Sequence, residues 1–250
     1  MVFKYGSTCI AGDLNNNFHK FYIESNTLIV QNITESFNNK LSYRKNVIDF
    51  SVDIDIHNHI HIIYLTNSGI LMHSIFSSAS IDEIITKIDI NTHFVRYIKL
   101  KIILDKINIF YMTCSAKNVH TWSLNHIYFK NCLSSSIIIS EINVTYRLFS
   151  YIVDIFKENL YIFYSSNSDC YFKIQYFNSN TDKWTTIDSN IYVQCAENAN
   201  LFITPSGTGF INYFKNNSSN IIRCKNLNLP FENWSAEKYI DADSMNFMTF

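Results

Sequence analysis

Five residues recur along this chain and set the limits on what it can fold into. Ile60-His61-Ile62-Ile63-Tyr64 returns as Phe18-His19-Lys20-Phe21-Tyr22, Ile107-Asn108-Ile109-Phe110-Tyr111 and Leu160-Tyr161-Ile162-Phe163-Tyr164. A worn copy stands at Phe210-Ile211-Asn212-Tyr213-Phe214. With the last aromatic of each copy as a marker, the intervals running Tyr22, Tyr64, Tyr111, Tyr164, Phe214 are 42, 47, 53 and 50 residues. A period of that size is one supersecondary unit repeated, and each unit must bury its apolar faces against the next.

The flanks of the markers read as strands and turns. Small polar clusters follow each one at the same offset: Ser25-Asn26, Asn67-Ser68-Gly69, Cys114-Ser115-Ala116, Asn167-Ser168-Asp169 and Asn217-Ser218-Ser219. Such clusters between apolar runs are hairpin signals. A second strand then starts at Leu28, Ile70, Val119, Tyr171 and Ile221, with no insertion or deletion needed across the hairpin. Ahead of each marker lies another β-like run, such as Phe50 to Ile56 or Phe149 to Phe156, joined through a short polar turn such as Asn15-Asn16-Asn17 or His57-Asn58-His59. A more variable fourth strand follows, as in Glu83 to Ile90, Ser136 to Ile142 and Lys183 to Ile187.

In Ile60 to Tyr64, alternate residues point to opposite faces, and both faces are largely apolar. Such a strand needs cover on both sides, which blades packed face to face around an axis provide. The expected fold is all-β: a β-propeller of five blades with four antiparallel strands each, filling residues 1–250 as a single domain. A six-bladed or incomplete ring, an open sandwich and a solenoid are the alternatives. The tail Asn246 to Phe250 either closes the ring or begins a further unit.

Composition narrows the function classes. A hydrophobic share of 47% with 16% charged residues is that of a globular protein with a sizeable core. A net charge of −1, with no basic stripe or cluster, argues against nucleic-acid and membrane partners. The start lacks a signal-peptide pattern, and no apolar run reaches the length of a membrane helix. Six scattered cysteines without a C-x-x-C pair read as buried free thiols in a reducing, cytoplasmic setting.

The pattern of apolar strand, Asn-rich turn, Ile-His-Ile-Ile-Tyr, polar turn and second strand resembles β-propeller repeat proteins of AT-rich Gram-positive bacteria. At fold level it also resembles five-bladed lectins of the tachylectin-2 kind. The resemblance covers most of the chain and implies a fold and a habit of binding. No lectin sugar-binding motif carries over residue by residue.

Candidate chemistry is sparse. Glycoside cleavage needs an acid and a base or nucleophile flanking the scissile bond. Asp13, Asp53, Asp55, Asp105, Asp154 and Glu197 lie near inner strands, but they recur at similar places, as structural turn residues do. His57, His59 and His61 alternate, a spacing that on an ideal strand puts them on one face as a metal site requires, yet His57-Asn58 falls in a turn, so no metal is expected. His61 matches His19, Asn108 and Tyr161, which suits a polar tip tucked between blades. Ser206-Gly207-Thr208-Gly209 reads as a turn, and no phosphate-cradling or nucleophile-elbow motif is present. No cofactor is expected.

Nine residues after each marker stand Gln31, His73, His120, Lys173 and Arg223, all able to donate hydrogen bonds, each preceded by an apolar residue. Alternation puts this column on one blade face, where it serves either to bind a repeated ligand or to satisfy neighbouring backbone carbonyls. Trp184 and Trp234 each follow their markers by 20 residues and offer stacking surfaces. The resulting expectation is a non-catalytic module that binds a glycan or protein through Gln31, His73, His120, Lys173, Arg223, Trp184 and Trp234. A five-bladed glycoside hydrolase or lyase using funnel carboxylates is the alternative.

Overall fold

The computed structural model describes residues 2–5, 8–13, 15–34, 39–77, 81–104, 106–130, 133–143, 151–156, 158–165, 171–178, 181–192, 197–204, 207–215, 219–226, 235 and 238–240; over most of 188–240 this is backbone only. Every element is a β-strand, and the strands form five antiparallel meanders in chain order. The first sheet holds β1 (Val2–Tyr5), β2 (Thr8–Gly12), β3 (Phe18–Glu24), β4 (Thr27–Asn32) and β5 (Lys40–Lys45). The second holds β6 (Val47–Ile54), β7 (Ile60–Thr66), β8 (Ile70–Ile75) and β9 (Asp82–Lys87). The third holds β10 (His93–Ile103), β11 (Lys106–Ser115), β12 (Asn118–Lys130) and β13 (Leu133–Asn143). The fourth holds β14 (Ile152–Phe156), β15 (Asn159–Ser165), β16 (Tyr171–Asn178) and β17 (Lys183–Tyr192). The fifth holds β18 (Glu197–Ile203), β19 (Thr208–Lys215), β20 (Ser219–Asn226) and β21 (Lys238–Ile240). The markers lie on β3, β7, β11, β15 and β19, the second strand of four sheets and the third of the first.

The chain divides into two compact units, 1–141 and 142–250. In the first unit the two-sided burial expected of the marker strand is met: Ile60 to Leu65 are all buried. Tyr64, Ile62 and Ile60 join Phe50 and Val52 in packing on Cys9, Phe21, Val30 and Tyr43 of the first sheet. Ile63, Leu65 and Leu71 face the other way, onto Ile98, Leu100, Ile109 and Tyr111 of the third. Cys9 and Cys114 are buried free thiols.

Polar groups lock both seams. Arg44 Nε and Nη2 grip the Asp82 carboxylate at 2.7–3.0 Å, and Tyr43 Oη meets Ser74 Oγ at 2.8 Å, joining the first sheet to the second. On the far side of the second sheet, Asp49, Ser51 and Asp53 share one face of β6. They accept the backbone N–H groups of Ile98 (3.0 Å), Leu100 (3.0 Å) and Ile102 (2.8 Å) in turn. The free edge of β10 is thus satisfied by side chains instead of by a neighbouring strand.

The hairpins are less uniform than their sequence spacing implies. Ser25 and Asn26 both adopt positive φ (48° and 57°), the two-residue turn that matches strand twist. Gly69 (φ 80°) closes the β7–β8 hairpin where a Cβ would lie 2.1 Å from the Ile88 carbonyl oxygen. In the third sheet the turn falls at Ala116-Lys117, beyond Cys114-Ser115. Tyr22 therefore pairs with Ile29, Tyr64 with Met72, Tyr111 with Asn125, Tyr164 with Lys173 and Phe214 with Asn220. Hairpin length differs in each sheet, contrary to the expectation of no insertions or deletions.

Candidate functional site

Variable register breaks up the column counted nine residues from the markers. Gln31 pairs with Lys20, two residues before its marker, and Lys173 pairs with Tyr164 itself, so both share the marker's face. His73 pairs with Ile63, one residue before its marker, and so takes the opposite face. Arg223 pairs with Ile211, three before its marker. His120 is exposed on the long β11–β12 hairpin, and its N–H reaches Asn118 Oδ1. These residues do not form one column, because each change of hairpin length by one residue exchanges the faces. The side chain of Arg223, all of Trp234 and Asp105, the side chain of Glu197 and the tail after Ile240 lie outside the described residues.

A real column emerges when equivalence is read from strand pairing. Three residues before the marker stand His19, His61, Asn108 and Tyr161, exposed by 8, 7, 4 and 8%. All four are buried, and His19 reaches Phe76 of the second sheet. Diagonally across the hairpin from them lie Val30, His73, His126 and Ile174. His126 escaped the sequence count because the third hairpin is longer; only the pairing register identifies it as the counterpart of His73.

Each position solves its polar problem differently. In the first sheet, Asp13 Oδ1 caps the N–H groups of Asn15 (2.8 Å) and Asn17 (2.9 Å), while Oδ2 takes His19 Nε2 at 3.0 Å. The His19 ring then meets Phe76 edge-on at 4.9 Å. In the third sheet, Asn108 Oδ1 accepts from His126 Nε2 at 3.1 Å, and Asn108 Nδ2 donates to the Lys106 carbonyl. His126 stacks on Phe110 at 4.5 Å, and burial pushes its pKa down to about 3.

The second sheet carries the richest constellation. Asp55 Oδ1 caps the N–H groups of His57 (2.9 Å) and His59 (2.8 Å), repeating the Asp13 turn. Its Oδ2 accepts from His59 Nδ1 (2.8 Å) and His61 Nε2 (3.2 Å). Burial alone would raise the Asp55 carboxyl; the His59 and His61 hydrogen bonds instead bring it down to about 2. His61 Nδ1 meets His73 Nε2 at 2.9 Å, with the rings nearly parallel. His73 Nδ1 points to Glu83 Oε2 at 3.8 Å. Burial, aided by the charge of His61, holds the His73 pKa at about 4. Asp53 sits opposite His61 on β6; burial raises its carboxyl, against the pull of Lys101 and the Ile102 N–H. Among the described residues no group of three or more His, Cys, Asp or Glu is arranged to hold a metal ion.

A second polar surface lies on the fourth sheet. Lys173, Gln175 and Phe177 alternate along β16, and Gln175 and Phe177 pair with Thr186 and Trp184. Gln175 Nε2 donates to Thr186 Oγ1 at 3.3 Å, and its Oε1 is buried without a hydrogen-bond partner. Trp184 packs on Phe177 at 5.2 Å between ring centres. Trp122 is buried, its Nε1 donating to the Val119 carbonyl, and so serves packing.

No protein-family model matches the chain, and no curated protein matches it in sequence. Among solved structures it is similar to a mutant of the Aleuria aurantia lectin in complex with Fucα1-6GlcNAc: TM-score 0.56, 10% identity, 94% of this chain and 78% of the lectin covered. That lectin is a six-bladed β-propeller. It is similar to the WD40 domain of fission-yeast SCAP: TM-score 0.53, 8% identity, 96% of this chain covered but only 52% of that one. Oligogalacturonate lyase from Vibrio parahaemolyticus aligns with TM-score 0.54 at 11% identity, covering 91% of this chain and 64% of that one. The chain thus spans about half the length of the SCAP domain. Antiparallel sheets in series, four of them four-stranded and the first five-stranded, and these likenesses make the fold a β-propeller.

Proposed function

We propose that the chain is a non-catalytic binding module, and that its five sheets are the five blades of one ring over residues 1–250, as in tachylectin-2-like lectins. The fate of three of the six candidate carboxylates carries the reading. Asp13 and Asp55 are spent on capping turns and holding histidines, and Asp53 on the N–H of β10. An acid–base pair for glycoside cleavage needs carboxyl groups free to exchange protons with a substrate. These are committed to the fold.

Carbohydrate is the ligand class we favour, and the outer strands of the fourth sheet are its first subsite. Lys173 supplies a donor, the buried Gln175 Oε1 an acceptor lacking a partner, and Trp184 an amphipathic ring. Hydroxyl-rich rings use that combination: polar edges satisfied by hydrogen bonds and apolar faces laid on an indole. Gln31, His120, Arg223 and Trp234 are proposed to extend binding to other sheets. His73, buried and bonded to His61, is left out of that set.

The test is a glycan array probed with the wild-type chain and with Trp184→Ala and Lys173→Ala. A bound glycan whose affinity falls at least about tenfold in Trp184→Ala supports the reading, tenfold being the loss of roughly 1.4 kcal/mol of stacking. An empty array with a protein retained on a pull-down moves the assignment to protein recognition. Turnover of any glycoside or uronate polymer overturns the non-catalytic reading altogether.

A further inference from the structure

The buried histidines divide into two kinds. His126 faces Asn108, an amide that cannot take up a proton, whereas His73 faces His61, a second imidazole. His61 is held at its other nitrogen by Asp55, and His73 looks out to Glu83. The four residues come from the β6–β7 turn, β7, β8 and β9, and so cross most of the sheet.

We propose that the Asp55–His61–His73–Glu83 row is a proton-operated latch on the seam between the second and third sheets. It is closed while the two imidazoles share a single excess proton and released when they take up another. This inference does not rest on the identity of the ligand.

Proton counting gives the two states. Asp55 requires a proton on His61 Nε2, and the 2.9 Å contact between the rings accommodates one proton. A third, on His73 Nδ1, points at Glu83. With three ring protons the pair carries one positive charge, flanked at each end by a carboxylate, and the hydrogen bond between the rings is kept. A fourth proton would put hydrogen on both nitrogens of the inner contact. That bond is then lost, and two imidazolium rings stand 5.2 Å apart where each residue is about 7% exposed. Like charges so placed repel strongly, since little water screens them.

The strain falls on a seam. His61 and His73 share their face with Ile63, which packs on Ile98, Leu100 and Ile109 of the third sheet. Asp53, directly opposite His61, is the acceptor for the Ile102 N–H across that seam. The charged or titratable groups around the pair are Asp55 and His59 from the turn, Asp53 and its neighbour Lys101, and Glu83. Asp55 keeps its charge down to about pH 2 and so holds the proton on His61, which leaves the fourth proton to be borne at His73. The low His73 value, about 4, places the fourth proton in moderately acidic solution. A buried histidine pair between two packed layers is the kind of element through which acidification loosens an interface.

Amide hydrogen exchange reads the latch directly. Protection factors of Ile98, Leu100 and Ile102, whose N–H groups bridge the seam, are compared at pH 7, 5 and 4 with those of Ile109 and Ile127 inside the third sheet. The expected result is a loss at the bridging amides about tenfold greater than at the internal ones by pH 4, one pKa unit of coupling being worth tenfold. His61→Asn gives the second sheet the Asn108–His126 arrangement already present in the third, and it should abolish that excess. Should His61→Asn fail to fold, His73→Val, which places the first sheet's Val30 solution on β8, serves the same purpose. The proposal is overturned if the excess loss is absent in the wild type, if it persists in the folded variant, or if all amides lose protection together.

Discussion

The side-chain ladder from β6 to β10 makes a prediction that separates a structural carboxylate from a catalytic one. Asp53 Oδ2 accepts the Ile102 N–H at 2.8 Å, and burial raises its pKa above the ordinary 3.8 despite Lys101 nearby. A folded-state value above the unfolded one means the folded protein prefers the protonated acid. The stability that Asp53 confers is therefore fully present below 3.8 and lost as pH rises through its folded value. At neutral pH its charge is a burden, and its acceptor oxygen is the useful part. Asp53→Asn keeps an acceptor and discards the charge, so it should fall within about 1 kcal/mol of wild type at pH 7, on either side. Asp53→Ala strands the Ile102 N–H and should cost about 1–3 kcal/mol. Ser51→Ala strands the fully buried Leu100 N–H and should cost a similar ~1–3 kcal/mol. Urea unfolding at pH 7 and pH 5, followed by the fluorescence of buried Trp122, measures all three. Equal losses from Asp53→Asn and Asp53→Ala would refute the argument, because the charge and not the acceptor would then be what the seam needs.

Three further outcomes follow from the same reasoning. Asp55→Ala removes the cap of the β6–β7 turn and the anchor of His61, and should cost about 2 kcal/mol in a denaturant melt; with its pKa lowered to about 2, the stability Asp55 confers is present above 3.8 and lost as pH falls toward 2. Gly69→Ala puts a Cβ 2.1 Å from the Ile88 carbonyl oxygen at a φ of 80° and should destabilise by more than about 2 kcal/mol, read as a shift in thermal midpoint. His126, held near pKa 3 by burial, stays neutral in the fold while the unfolded chain takes up a proton near 6.5, so stability falls as pH drops from about 6.5 toward 3; His126→Gln should flatten that slope in denaturant titrations at successive pH values.

Much of the architecture was legible because it depends on apolar periodicity. Ile60 to Tyr64 is apolar on both faces and is buried on both. The turns Asn15-Asn16-Asn17 and His57-Asn58-His59 are turns, and Asp13 and Asp55 are the structural residues that their recurrence implied. What spacing alone did not carry was register. Hairpin length changes from one sheet to the next, and a shift of a single residue moves a side chain to the other face. Gln31 and His73, nine residues from their markers, consequently occupy opposite faces, and His126 lay fifteen residues from Tyr111 where no count placed it. The ladder from Asp49, Ser51 and Asp53 was also hidden. A polar residue at every second position of an inner strand resembles a solvated face until the unpaired edge of β10 is set beside it.

The position three residues before each marker must be polar and buried at once, since it ends a two-sided strand beside a capped turn. His19, His61 and Asn108 meet that requirement, yet they are not equivalent in chemistry. His19 has a carboxylate on one side and apolar Val30 diagonally opposite. Asn108 holds His126 without any proton to exchange, and the pair has one satisfied arrangement. His61 has a carboxylate on one side and an imidazole on the other, and this pair has two proton counts separated by the integrity of one hydrogen bond. A repeated scaffold can therefore be uniform in shape and differ between its sheets in response. The difference resides in the diagonal pair: the same histidine stands beside apolar Val30 in the first sheet and beside a second imidazole, His73, in the second.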